Sequence, residues 1–181
     1  MNKPIHSRVF VVGCARSGTT LLQAMLASHS RVFSFPESHF FCRAVSKRRR
    51  HRWLGFTDRQ AAQAVLRELA VLVGRPDLER MVPGRSPLFR SYSRAFVDIV
   101  DQAAAGQGKD VWVEKTPHHV DFLSMIPRYV PGARFVHILR DGRDVVASQI
   151  DAQRQDPGYW GSWSIERLVR LWNTDTSRSV S

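Results

Sequence analysis

From Arg8 to Ala27 the apolar pattern switches from the period of a strand to that of a helix across one glycine-bounded loop. Arg8-Val9-Phe10-Val11-Val12 is apolar and β-branched, the composition of a buried strand in a parallel sheet, and it ends at Gly13. Leu21, Leu22, Met25 and Leu26 then recur at helical spacing over Thr19 to Ala27, with Ser17 or Thr19 available to cap the helix. Strand, glycine loop, helix is a unit from which α/β domains are built.

The alternation continues. Val32 to Phe35 predicts a second short strand, and Pro36-Glu37-Ser38 leads into His39-Phe40-Phe41, where a helix begins. Two covering helices follow: Ala61, Val65, Leu69 and Leu72 share a face between Asp58 and Val73, and Phe96, Ile99, Val100 and Ala103 share one between Tyr92 and Ala105. After a loop over 105–110, Val111 to Glu114 reads as a strand, and a helix after Pro117 places Val120, Leu123 and Ile126 together. Pro131-Gly132 makes a turn, Arg134 to Leu139 forms the next strand, a helix runs from Asp144, and Trp160 to Trp172 predicts one more. The expectation is a single α/β domain over 1–181, three-layered and P-loop-like, with a mainly parallel central sheet.

Composition narrows the function less than the order of elements does. A chain of 181 residues with 43% hydrophobic residues can enclose one core. There is no apolar leader and no run long enough to span a bilayer, so the sequence predicts a cytoplasmic protein with no membrane span. Cys14 and Cys42 give neither a disulfide framework nor a zinc-ligand spacing, and no metal is predicted. Lys and Arg number 27 against 16 Asp and Glu, a net charge of +11 that favours an anionic partner. A nucleic acid, a membrane surface and a polyanionic cofactor all satisfy that balance. The densest basic run, Lys47 to Arg52, reads as a solvated loop or helix end, or as the approach of an acidic acceptor.

In such a sheet ligands bind at the carboxyl ends of the strands. Three loops of unusual chemistry leave predicted strands there: 13–20, 114–119 and 140–148. The first, Gly13-Cys14-Ala15-Arg16-Ser17-Gly18-Thr19-Thr20, has the G-x-x-x-x-G spacing that lets backbone N–H groups and a helix N-terminus cradle a phosphate. Thr19 stands where a Walker lysine would be, which argues against ATP or GTP turnover. The loop's cation is Arg16, and Thr19 and Thr20 add hydroxyl donors. A 5′-phosphate that carries a leaving group but no γ-phosphate suits this arrangement.

Arg16-Ser17-Gly18-Thr19-Thr20-Leu21 resembles the 5′-phosphosulfate loop of sulfotransferases that use 3′-phosphoadenosine 5′-phosphosulfate (PAPS), especially the tyrosylprotein-sulfotransferase-like and related bacterial branch; cytosolic members usually have Lys at the Arg16 position. Arg140-Asp141-Gly142-Arg143-Asp144-Val145-Val146-Ala147-Ser148 resembles the family's 3′-phosphate motif, which implies Arg140 and Ser148 as ligands. Arg143 is a third donor or a partner of Asp141 or Asp144. Glu114-Lys115-Thr116-Pro117-His118-His119 resembles the E-K-T-P-x-H segment of the same branch and implies Lys115 as the cation that stabilises charge in sulfuryl transfer. Glu114 reads as a structural partner of a neighbouring loop or helix; His118 and His119 read as substrate contacts or caps of the following helix, with capping or packing favoured for His118.

An acceptor hydroxyl must lose its proton as it attacks, so a general base is expected. Glu37 aligns with the carboxylate base of the tyrosylprotein sulfotransferases, although His39 stands where an arginine contacts their peptide. His119 is the alternative base, by likeness to the cytosolic branch. The resemblance implies a metal-independent transfer from PAPS to an acceptor hydroxyl, no nucleic-acid partner, and a domain whose C-terminal part lies beyond this chain. Two other classes stay open. A P-loop kinase requires the missing lysine, and a nucleic-acid module requires aromatic platforms beside the 47–52 run, where only Trp53 stands.

Overall fold

In the computed structural model, which describes residues 4–178, four parallel strands form one sheet in the order β2-β3-β1-β4. Strand β1 spans Ser7–Gly13 and leads through the glycine loop into α1, Thr19–Ala27. Then come β2 (Val32–Ser34), α2 (Phe40–Ala44), α3 (Arg49–Trp53), α4 (Arg59–Leu72), a 3-10 turn over Pro76–Met81 and α5 (Phe89–Gly106). The second half contains β3 (Val111–Lys115), a 3-10 turn over Pro117–Phe122, α6 (Ile126–Tyr129), β4 (Ala133–Ile138), α7 (Gly142–Gln155), α8 (Pro157–Trp160) and α9 (Ile165–Ser177).

Register fixes the site. Strand β1 lies between β3 and β4, pairing Val11 with Lys115 and Gly13 with Ile138. All three strands run in parallel, so the loops that leave them emerge side by side at one edge. Alternation along β3 divides the layers. Trp112, fully buried, packs edge-on against Phe10 and Phe96 and donates from its indole N–H to Asp101 of α5 at 2.7 Å. Val113 points the opposite way, to the face where α1 lies across β2 and β3. The predicted three-layer α/β arrangement is therefore the observed one.

Local details depart from the sequence expectations. The cap of α1 is Gly18, not Ser17 or Thr19, because the loop needs a positive φ of 94° there. The segment after Pro117 forms a 3-10 turn and then the short α6, not one helix; Pro127 sits in the first turn of α6 and lacks the N–H an uninterrupted helix would use. Gly106, expected in a loop, closes α5. The last predicted helix is two, parted at Gly161, whose φ is 72°. Asp58 caps α4, accepting from the Ala61 N–H at 3.2 Å.

Candidate active site

The loop after β1 is built by positive backbone angles. Gly13 has φ 151°, and a Cβ there would lie 2.7 Å from the Ile138 carbonyl oxygen, so only glycine lets β1 and β4 end this close together. Arg16 takes φ 74°, a conformation that costs a residue with a side chain roughly 1–2 kcal/mol. The turn carries its guanidinium outward, 3.2 Å from Ser148 Oγ and 5.6 Å above the Trp160 ring. At Gly18 no side chain caps α1, which leaves its first-turn N–H groups open. Among the described residues nothing lies within 4 Å of the place a Gly18 Cβ would take, and the buried Ser17 Oγ has no hydrogen-bond partner among them. Open helix N–H groups, an unsatisfied hydroxyl and room beside a glycine fit a phosphate.

A cleft of about 530 Å³ opens on this loop, within the ordinary size of a ligand site. Its wall includes Arg16, Gly18, Thr19, Thr20, Glu37, Arg140 and Ser148. Ser148 reaches it because α7 runs back alongside the loop; the neighbouring Gln149 donates to the Ala15 carbonyl at 3.1 Å. Arg140 donates to the Arg16 carbonyl at 3.3 Å and stands 3.6 Å from Asp144. Asp141 caps α7 and pairs with the exposed Arg143 guanidinium, so Arg143 is the surface partner rather than the third donor. Helix α9 is seated at Gly142, where Trp172 leaves no space for a Cβ (3.0 Å), and the Trp172 indole donates to the Arg140 carbonyl.

Glu37 meets Lys115 on the far side of the cleft. The ammonium donates to the carboxylate Oε1, and His39 Nε2 lies 3.4 Å from Oε2. Lys115 is nearly enclosed, while Glu37 keeps 29% of its side-chain surface, so the carboxylate can still be approached. Glu114 fixes this pair from beneath. It is fully buried, accepting from Ser38 Oγ at 2.8 Å, Thr116 Oγ1 at 2.5 Å and His119 Nδ1 at 2.9 Å, which ties the Glu37 loop to the end of β3. Burial pushes the Glu114 carboxyl up, but the His119 charge and the converging hydrogen bonds outweigh it and hold the group below its ordinary range. In turn, burial opposes a charge on His119, while Glu114 and the Cys42 thiol raise its pKa to about 9. The Phe41 N–H approaches His119 Nε2 at 3.3 Å, the acceptor role of a neutral imidazole that keeps its proton on Nδ1 toward Glu114; the charged form favoured by Glu114 must give up this weaker contact.

The sequence-predicted residues therefore separate into two groups. Arg16, Ser17, Gly18, Thr19, Thr20, Arg140, Ser148, Glu37 and Lys115 converge on the cleft or its immediate wall. His119 does not: it is 0% exposed and packed among Phe10, Phe41 and Phe122, outside the described residues that line the cleft. His118 is exposed and lines the cleft, the position of the substrate-contact reading rather than of the favoured capping or packing one.

Sequence reasoning passed over Gln149, Trp160 and Asp175, which also line the cleft. Asp175 carries a readable signal, since it continues the Leu168, Leu171, Trp172 stripe of α9 at helical spacing, where an acid is out of place. Burial pushes its carboxyl up, against the nearby His118 and the Cys14 thiol. Burial and then Asp175 push that thiol up to about 12.

Among known proteins, the chain is 26% identical over 146 residues to an uncharacterized protein of Aquifex aeolicus (strain VF5), covering 80% of this chain and 17% of that one. The crystal structure of sulfotransferase STF9 from Mycobacterium avium superposes with a TM-score of 0.46 at 16% identity, over 98% of this chain and 56% of that one. The chain thus spans less than two thirds of either relative. A profile of the sulfotransferase family matches residues 8–180, and the chain belongs to that family.

Proposed function

We propose that the chain transfers a sulfuryl group from PAPS to an acceptor hydroxyl, without a metal ion and with Glu37 as general base. One observation supports this reading above the others: two cation-and-hydroxyl clusters, Arg16 with Thr19 and Thr20, and Arg140 with Ser148, share a cleft with one approachable carboxylate. When bound, PAPS supplies a sulfuryl group linked to a phosphate whose departing oxygen gathers charge. The α1 N-terminus and the Thr19 and Thr20 hydroxyls hold the 5′-phosphate. Arg140 and Ser148 hold the 3′-phosphate, the guanidinium offering a fork that matches two phosphate oxygens. Lys115 and Arg16 oppose the charge that grows on the departing side. Glu37 Oε accepts the acceptor's proton, for which the Lys115 ammonium must first turn from the carboxylate toward the donor anion.

Calorimetry with PAP, the desulfated product, in EDTA tests the reading. Binding that survives chelation and exceeds binding of ATP is expected. Loss of binding on chelation, or equal affinity for ATP, overturns it.

A further inference from the structure

Away from the cleft, two stretches without any acidic residue, 38–57 and 80–97, come together on one side of the protein. They are stitched by the backbone: Thr57 N–H donates to the Pro87 carbonyl at 3.1 Å, Phe89 N–H donates to the Gly55 carbonyl at 2.8 Å, and Phe56 bridges Leu88. Trp53, at the end of α3, is 85% exposed, and Leu54, Phe56 and Leu88 are exposed beside this seam. Around them Lys47, Arg48, Arg50 and Arg52 are exposed and form no ion pair among the described residues. Arg85 and Arg90 extend the basic rim on the second stretch in the same state.

We propose that this surface docks the protein on an anionic phospholipid membrane, with Trp53 and Leu54 entering the headgroup boundary and the arginines meeting lipid phosphates. The inference is independent of the donor reading above. An indole beside aliphatic tips, with exposed basic residues on the same two stretches, is the chemistry of interfacial anchoring. A dissolved polyanion would meet the arginines and stack on Trp53, but it would leave Leu54, Phe56 and Leu88 in water. A bilayer covers all of them.

Cosedimentation of the 181-residue chain with vesicles tests this. Binding to vesicles enriched in phosphatidylglycerol, weakening as salt rises and weak on pure phosphatidylcholine, is expected. Arg50→Glu with Arg52→Glu should lower affinity by about fivefold or more per side chain at low salt. Trp53→Ser with Leu54→Ser keeps the charge, yet should lose most of the binding that persists at high salt. Both pairs are exposed, so thermal melts should match the unsubstituted chain. Failure to bind anionic vesicles overturns the proposal. So does binding unaffected by Trp53→Ser with Leu54→Ser, and so does capture by polyuridylate or heparin with no vesicle binding, which would assign the patch to a soluble polyanion.

Discussion

Lys115 donates its ammonium proton to Glu37 across 78 residues of sequence, joining the end of β3 to the loop after β2. The carboxylate's hydrogen-bonding capacity toward an acceptor is thus shared with the cation. Glu37→Gln keeps the side-chain shape and removes the proton acceptor. PAP affinity should stay near that of the unsubstituted protein while turnover falls about 10²–10⁴-fold. If Lys115 opposes the donor's charge as proposed, Lys115→Ala should lower both. Calorimetry paired with a sulfuryl-transfer assay separates the patterns, and an active Glu37→Gln variant would remove Glu37 from the chemistry.

Arg140 should matter mainly to the 3′-phosphate end of the nucleotide. Arg140→Ala is expected to weaken PAP binding by about 1.5–3 kcal/mol, the scale of a hydrogen bond to a charged group. Adenosine 5′-phosphosulfate, which has no 3′-phosphate, should lose far less. Equal losses for both ligands in titration calorimetry would point to damaged folding instead.

The two thiols should react very differently. Cys14 is 2% exposed and its pKa is pushed up to about 12, first by burial and then by Asp175. Cys42 is only partly buried; burial pushes its thiol up, but hydrogen bonds from His119 and His39 outweigh that and hold it below its ordinary value. Iodoacetamide at neutral pH, followed by peptide mass spectrometry, should label Cys42 in the native protein and reach Cys14 only after denaturation. Early labelling of Cys14 would contradict the enclosure of the phosphate loop.

The buried Glu114–His119 pair gives stability a pH dependence. His119 rises from an ordinary 6.5 to about 9 in the folded protein. Its contribution is complete below about pH 6.5 and fades as pH rises through about 9. Glu114, held below its ordinary range, stays ionised across that window. Thermal melts should show Tm falling over this range, whereas His119→Gln should start lower and vary less. Identical slopes for the two proteins would show a neutral imidazole.

Much of this arrangement is legible along the chain because it depends on local period. The apolar run of β1, the strand over Val111 to Glu114 and the helical stripe of α4 each follow from local composition and spacing. What spacing does not reveal is which groups meet across the sheet. His118 and His119 are adjacent and equally titratable, yet the tight turn after Pro117 sends one into the cleft and the other into the aromatic core. Glu114 is similar: only the fold brings Ser38 beneath it, and so makes a buried acid the anchor of the Glu37 loop.

Arg16 reaches Ser148, and Arg140 reaches the backbone of Arg16. Groups that the proposal assigns to opposite ends of the nucleotide are therefore hydrogen-bonded to one another. On the proposed reading, a phosphate captured at either end would withdraw one member of this exchange and release another, linking the two recognition events thermodynamically. In a double-mutant cycle, Arg16→Ala and Ser148→Ala should then show a coupling energy of about 0.5–3 kcal/mol in PAP affinity. The site would measure the separation between two phosphates, discriminating against nucleotides that carry only one of them by more than the loss of a single contact.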